Sequence, residues 1–74
     1  MNLFFVEKIY RYNITYEVIA RDVYINADSI VMMYGFADKY GQWTCLCFGD
    51  GDIVTGFECY INESIDTIKR KIGC

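Results

Sequence analysis

Residues 42–61 run Gln42-Trp43-Thr44-Cys45-Leu46-Cys47-Phe48-Gly49-Asp50-Gly51-Asp52-Ile53-Val54-Thr55-Gly56-Phe57-Glu58-Cys59-Tyr60-Ile61. An Asp-Gly pair between two apolar runs is a strong hairpin signal, because both central residues of a type I′ turn need positive φ. With Asp50 and Gly51 as the loop, Phe48 is expected opposite Ile53, Leu46 opposite Thr55, and Thr44 opposite Phe57. The other face then carries Cys47 across from Val54, Cys45 across from Gly56, and Trp43 across from Glu58. One face reads as continuous core. The other is a mixed apolar surface bearing Trp43 and Tyr60.

After Ile61 the period changes. Ile61, Ile65, Ile68 and Ile72 recur at helical spacing and give a single apolar stripe. Asn62 or Ser64 can cap this helix, and Glu63 and Asp66 lie near its positive end. Lys69, Arg70 and Lys71 lie near its negative end, and Gly73 terminates it. An amphipathic helix laid over one sheet face completes a two-layer fold.

Upstream, residues 3–10 read as a short edge strand. From Tyr12 an alternation puts Tyr12, Ile14, Tyr16, Val18 and Ala20 on one face. Arg21-Asp22 reads as a turn and Val23-Tyr24-Ile25 as a return strand. Asn26-Ala27-Asp28-Ser29 marks a tight corner or a single helical turn, since such side chains hydrogen-bond their own backbone. Ile30 to Phe36 is the next strand, and Asp38-Lys39-Tyr40-Gly41 turns the chain into the hairpin. The fold class expected is α+β: an antiparallel β-meander of four or five strands closed by one C-terminal amphipathic helix, all within one domain, residues 1–74.

Val23-Tyr24-Ile25-Asn26-Ala27-Asp28-Ser29-Ile30, then Gly51-Asp52-Ile53-Val54, then Asn62-Glu63-Ser64-Ile65-Asp66-Thr67-Ile68 with Lys71-Ile72, resembles the order of elements in the FlbD family. These are short bacterial proteins associated with flagellar operons. The resemblance covers about two-thirds of the chain. It implies a small sheet followed by a closing helix and assigns no site residue. An added N-terminal strand, a longer middle hairpin and a cysteine-rich strand depart from the family pattern.

Composition agrees with sheet. The 74 residues include ten Ile and five Val against two Leu, with 13 aromatics. β-branched and aromatic side chains suit a pleated, half-buried surface. A chain of this size buries only about 60% of its unfolded surface. Thirteen aromatics exceed what so thin a core encloses, which predicts burial against a second copy and hence a homo-oligomer.

The chain has no His and no Pro. Ser-His-Asp triads, Cys-His pairs and imidazole metal sites are thereby excluded. Residues 38–62 carry Asp38, Asp50, Asp52 and Glu58 against Lys39 alone, so this region lacks the clustered cations that nucleic acid requires. Four apolar residues precede Glu7 and Lys8, too few for a signal peptide or a membrane span, and a cytoplasmic location is expected. There Cys45, Cys47, Cys59 and Cys74 stay reduced. Cys-X-Cys without a second pair is a weak zinc signal, so the thiols read as small buried hydrophobes and no metal or cofactor is expected. Asp50-Gly51-Asp52 reads as a turn, because the ligand series of a calcium loop does not follow it. Ser29 and Ser64 have no base to activate them, and no catalytic residue is expected.

The aromatics beside the middle hairpin remain. Trp43, Tyr40, Tyr34, Tyr60 and Phe36, with Asp38, Lys39 and Gln42 beside them, have interface composition, and these aromatics with Glu58 are the expected contact residues for another protein. Trp43 in particular is expected to lack a second layer within one chain. The function expected is that of a small acidic non-catalytic regulator or inhibitor, such as the antagonists of host defence that phages carry. The alternative is a binder of a small planar ligand, such as a nucleotide, held between aromatics at a subunit boundary.

Overall fold

A computed structural model of the protein describes residues 2–49 and 57–73. The chain runs β1 (Leu3–Asn13), β2 (Thr15–Asn26), a 3₁₀ turn (Ala27–Ser29), β3 (Ile30–Asp38), β4 (Gly41–Phe48), β5 (Phe57–Ile61) and α1 (Ile65–Ile72). The strands form one antiparallel five-stranded sheet in the order β2-β1-β5-β4-β3. The expected meander therefore holds only for β3, β4 and β5. β1 is an interior strand between β2 and β5, and the free edges are β2 and β3. No helix among the described residues is long and apolar enough to cross a membrane.

Two features of β1 and β2 correct the sequence reading. Ile14, expected on a strand face, is the hairpin tip, with φ 71° and 87% of its surface exposed. Arg21-Asp22, expected as a turn, lies inside β2, where Asp22 takes φ 54° and the strand continues. Asp is one of the few residues that tolerate this left-handed region, so the backbone distorts without reversing.

The sheet is strongly curled. Asn26 and Ile30 lie on opposite edges yet are joined by only Ala27–Ser29. Four Cα steps reach at most about 15 Å, whereas the outer strands of a flat five-stranded sheet stand roughly 19 Å apart. The corner is fixed as expected: Asn26 Oδ1 accepts from Asp28 N at 3.0 Å, and Ala27 N donates to Asn2 O at 2.8 Å.

The β1–β2 hairpin serves both faces of the β3–β4–β5 meander. On β1, Phe4 and Val6 are core residues and Ile9 packs against them, and the β1–β2 register shifts between Ile9 and Tyr10. Phe4 and Val6 pack with Leu46, Cys59 and Ile61, while Tyr10 and Tyr12 meet Trp43 and Tyr60. Cys59 and Ile61 face away from Tyr60 on β5. β1 pairs with β5 at Tyr10 and Tyr60, and the base of the hairpin packs in the first face while its tip tyrosines reach the rings of the second.

The first face holds the aliphatic core of Phe4, Val6, Ile25, Leu46, Cys59, Ile61 and Ile68. Helix α1 covers it as its apolar period requires. Ser64 caps the helix by accepting from Thr67 N at 3.2 Å, and Gly73 ends it with φ 95°. Gly35 lets the helix approach: a Cβ there would lie 3.0 Å from Ile65 Cβ. The helix is tied down by Thr44 Oγ1 donating to Glu63 O at 2.9 Å, and by Lys71 Nζ donating to Phe5 O at 3.0 Å and meeting Glu63 Oε1 at 2.9 Å.

The β4–β5 register also differs from expectation. Phe48 pairs with Phe57, Leu46 with Cys59, Cys45 with Tyr60 and Thr44 with Ile61. Phe48 was expected opposite Ile53; residues 50–56, with the turn expected at Asp50-Gly51, lie outside the described residues. The displacement is four positions. Being even, it leaves the side chains of Trp43 to Phe48 and of Glu58 to Tyr60 on their expected faces.

Candidate functional site: an aromatic face and a thiol cluster

The second face of the meander alternates with the core. β4 contributes Trp43, Cys45 and Cys47, β5 contributes Glu58 and Tyr60, and β3 contributes Met32, Tyr34 and Phe36. The hairpin tip adds Tyr10, Tyr12 and Tyr16 over one end. Tyr16 lies parallel to Trp43, with ring centroids 4.0 Å apart and an interplanar angle of 11°. Tyr10 meets Trp43 edge-on at 5.2 Å, and Tyr60 meets Tyr16 and Phe36 edge-on at 5.8 and 6.0 Å.

Asp38 organises this end. It closes the β3–β4 turn, where Oδ1 accepts from Tyr40 N at 2.8 Å and from Trp43 Nε1 at 2.9 Å. Oδ2 accepts from the Tyr16 hydroxyl at 3.2 Å. Partial desolvation pushes the carboxyl up, but these three donors and the Lys39 charge outweigh it and hold it below the usual carboxylate range. Tyr16 responds oppositely: burial, then the Asp38 charge and hydrogen bond, raise its hydroxyl to about 12.

Trp43 is therefore not an unburied aromatic awaiting a partner. It is only 3% exposed. The premise that one chain supplies no second layer fails, because the β1–β2 tip is that layer. The sequence signal for it was present in Tyr12 and Tyr16, but reading Ile14 as part of a continuous strand hid the fold-over. The other expected contact residues divide. Tyr60 and Phe36 are half-buried within the ring network, whereas Tyr34, Tyr40 and Glu58 are exposed. Tyr40 joins the network through Tyr16 at 6.2 Å, and Tyr34 through Phe36 at 6.2 Å. Tyr10, Tyr12 and Tyr16 belong to the same assembly and were not singled out, and Asp38, expected only beside the aromatics, bonds two of them.

Around the hairpin tip lies an open cleft of about 790 Å³, lined by Tyr12, Tyr16, Asp38, Lys39, Tyr40 and Trp43 among others. Its walls are mostly rings, and the Asp38 oxygens facing it already hold three donors.

At the other end of this face, Cys45 Sγ donates to Glu58 Oε2 at 3.1 Å, and Cys47 stands opposite Glu58. Burial and the Glu58 hydrogen bond push the Cys45 thiol up to about 12. A hydrogen bond to Cys45 likewise raises the Tyr34 hydroxyl. Burial alone accounts for most of the rise of Cys59, on the core face, to about 11. These two thiols are protonated at neutral pH and are poor nucleophiles. Cys59 fits the expectation of a small buried hydrophobe. Cys45 is buried as expected but donates to a carboxylate, and Cys47 is only half-buried beside it.

The chain matches no family model, no curated protein and no solved structure.

Proposed function

We propose that the protein is a non-catalytic binding protein, a regulator or inhibitor of another protein, that self-associates through the outer edge of β3. The observation that carries this reading is the contrast between its two free sheet edges. An unpaired edge exposes a row of backbone donors and acceptors, and proteins that must stay single blunt it with charges and bulges. β2 is blunted: it carries Glu17, Arg21 and Asp22, slips register at Ile19, and takes a left-handed backbone at Asp22. β3 reads Ile30-Val31-Met32-Met33-Tyr34-Gly35-Phe36-Ala37 before its first charge at Asp38. Its one irregularity, at Val31, leaves Met32 to Ala37 regular. Val31, Met32 and Tyr34 are 68%, 55% and 42% exposed.

The occupant that fits this edge is β3 of a second copy. Antiparallel pairing centred on Tyr34 sets Asp38 opposite Ile30, so no like charges meet and two sheets become one. Such an isologous contact closes as a dimer. The exposed tyrosines at its margin, Tyr34 and Tyr40, have the composition that partner proteins contact.

A second reading has its own observation. The 790 Å³ cleft lies within the volume range of small-molecule sites and offers ring faces beside the Lys39 ammonium, a chemistry suited to a nucleotide.

Native mass spectrometry of the wild type and of a Val31→Lys/Met32→Lys variant tests both. The proposal expects a wild-type dimer and a folded monomeric variant. A wild type that stays monomeric, or a variant that still dimerises, removes the β3 contact. A small molecule retained by both would favour the cleft.

A further inference from the structure

The end of the aromatic face that the hairpin does not cover holds the second cluster. Cys45 and Cys47 are two residues apart on β4 and so project from the same face. Glu58 is the cross-strand partner of Cys47, and its carboxylate is already bonded to Cys45. The two sulfurs and a Glu58 oxygen all lie within 4.8 Å of one another.

We propose that Cys45, Cys47 and Glu58 bind one thiophilic divalent cation of the zinc and cadmium class. Tetrahedral zinc with bonds of about 2.3 Å to sulfur and about 2.0–2.2 Å to oxygen needs donors roughly 3.5–3.8 Å apart. The observed separations, 3.1 Å between Cys45 Sγ and Glu58 Oε2 and no more than 4.8 Å within the group, lie within about 1 Å of that spacing. Two sulfur donors of three select against calcium and magnesium, which take oxygen shells. The sheet fixes the donors: neighbouring strand positions and a cross-strand pair cannot drift apart without breaking the β4–β5 ladder. Access is open on one side, since Cys45 is buried, Cys47 half-buried and Glu58 exposed. The register also sets Met32, a soft thioether, opposite Cys47 on the same face. Cys59 cannot take part because it lies on the core face opposite Leu46. On binding, both thiols release their protons to solvent, and the ion is held by two thiolates and a carboxylate with a fourth position open.

The test titrates reduced protein, in a Cys74→Ser background that removes the terminal thiol, with Cd²⁺. The readout is the ultraviolet sulfur-to-cadmium charge-transfer band, with a chelator as competitor. The inference expects saturation at one Cd²⁺ per chain. Cys47→Ser, at a half-buried position, should weaken binding by at least about tenfold and lower the band, and Glu58→Gln should weaken binding while leaving the band's two-thiolate intensity. Circular dichroism checks that each variant is folded. Absence of a saturable band, or binding by Cys47→Ser as tight as by its parent, would overturn the assignment.

Discussion

The two faces of β4 are built from different chemistry. Thr44 and Leu46 point into an aliphatic core sealed by Ile68 and the base of the hairpin. Trp43 and Cys45, their immediate neighbours, point into rings, a carboxylate and thiols. All four residues are buried. The aliphatic face is held mainly by buried area, with Thr44 Oγ1 donating to Glu63 O as a directed tie to the start of the helix. The aromatic face is held by directed contacts around Asp38, so its geometry is specified as well as its burial. One long hairpin covers part of each. Part of the surplus of aromatics over a thin core is thus absorbed within the chain; Phe5, Tyr12 and Tyr24 on the hairpin and Tyr34 and Tyr40 beside the β3 edge stay exposed.

The largest effects should come from emptying either face. Trp43→Ala removes the ring on which Tyr16 stacks and should cost about 3–5 kcal/mol, while Ile68→Ala should cost about 2–5 kcal/mol. Chemical denaturation measures both. Trp43→Ala should also free the tip tyrosines, read as a change in near-ultraviolet circular dichroism that Ile68→Ala does not share. A Trp43→Ala protein as stable as wild type would mean that the hairpin tip does not cover this face.

Gly35→Ala sharpens the comparison on the helix side. Its methyl group would press on Ile65, and overpacking of this kind costs about 1–3 kcal/mol. Ile65→Gly, which removes both the Cβ at 3.0 Å and the Cγ2 at 3.1 Å, should make Gly35→Ala cost less than it does in the Ile65 background, as a double-variant cycle measures. An unchanged cost of Gly35→Ala would place the strain elsewhere.

The smallest effect belongs to Asp38. Its folded-state pKa is depressed, so its contribution is complete above the unfolded value near pH 4 and is lost as pH falls through the lower folded value. Thermal melts between pH 2 and 6 should therefore show a steeper acid decline for wild type than for Asp38→Asn. Equal slopes would mean that the three donors do not favour the ionised carboxylate.

Much of this was legible in the residues. The Ile65–Ile68–Ile72 period, the Ser64 cap, the Gly73 stop and the Asn26 corner are local signals, and local contacts realise them. The assignment of Leu46 and Trp43 to opposite faces survived a four-residue register error because strand side chains repeat every two. The neighbour of β1 was not legible, since pairing between Tyr10 and Tyr60 across fifty positions leaves no local trace. Neither was the tip at Asn13-Ile14-Thr15, which puts a β-branched residue at positive φ where turn chemistry would place Gly or Asn. Missing that reversal removed the second layer over Trp43. The Cys45–Cys47–Glu58 cluster depended on the β4–β5 register and was invisible without it.

The central claim is that β3, and not β2, is the edge through which the protein binds. Residue-resolved amide hydrogen exchange at low and high protein concentration tests it most directly. The account predicts that outward-facing amides between Met32 and Ala37 gain protection as concentration rises, while those of β2 exchange at the same rate throughout. Protection that rises on β2 instead, or β3 amides that exchange at a rate independent of concentration, would contradict it.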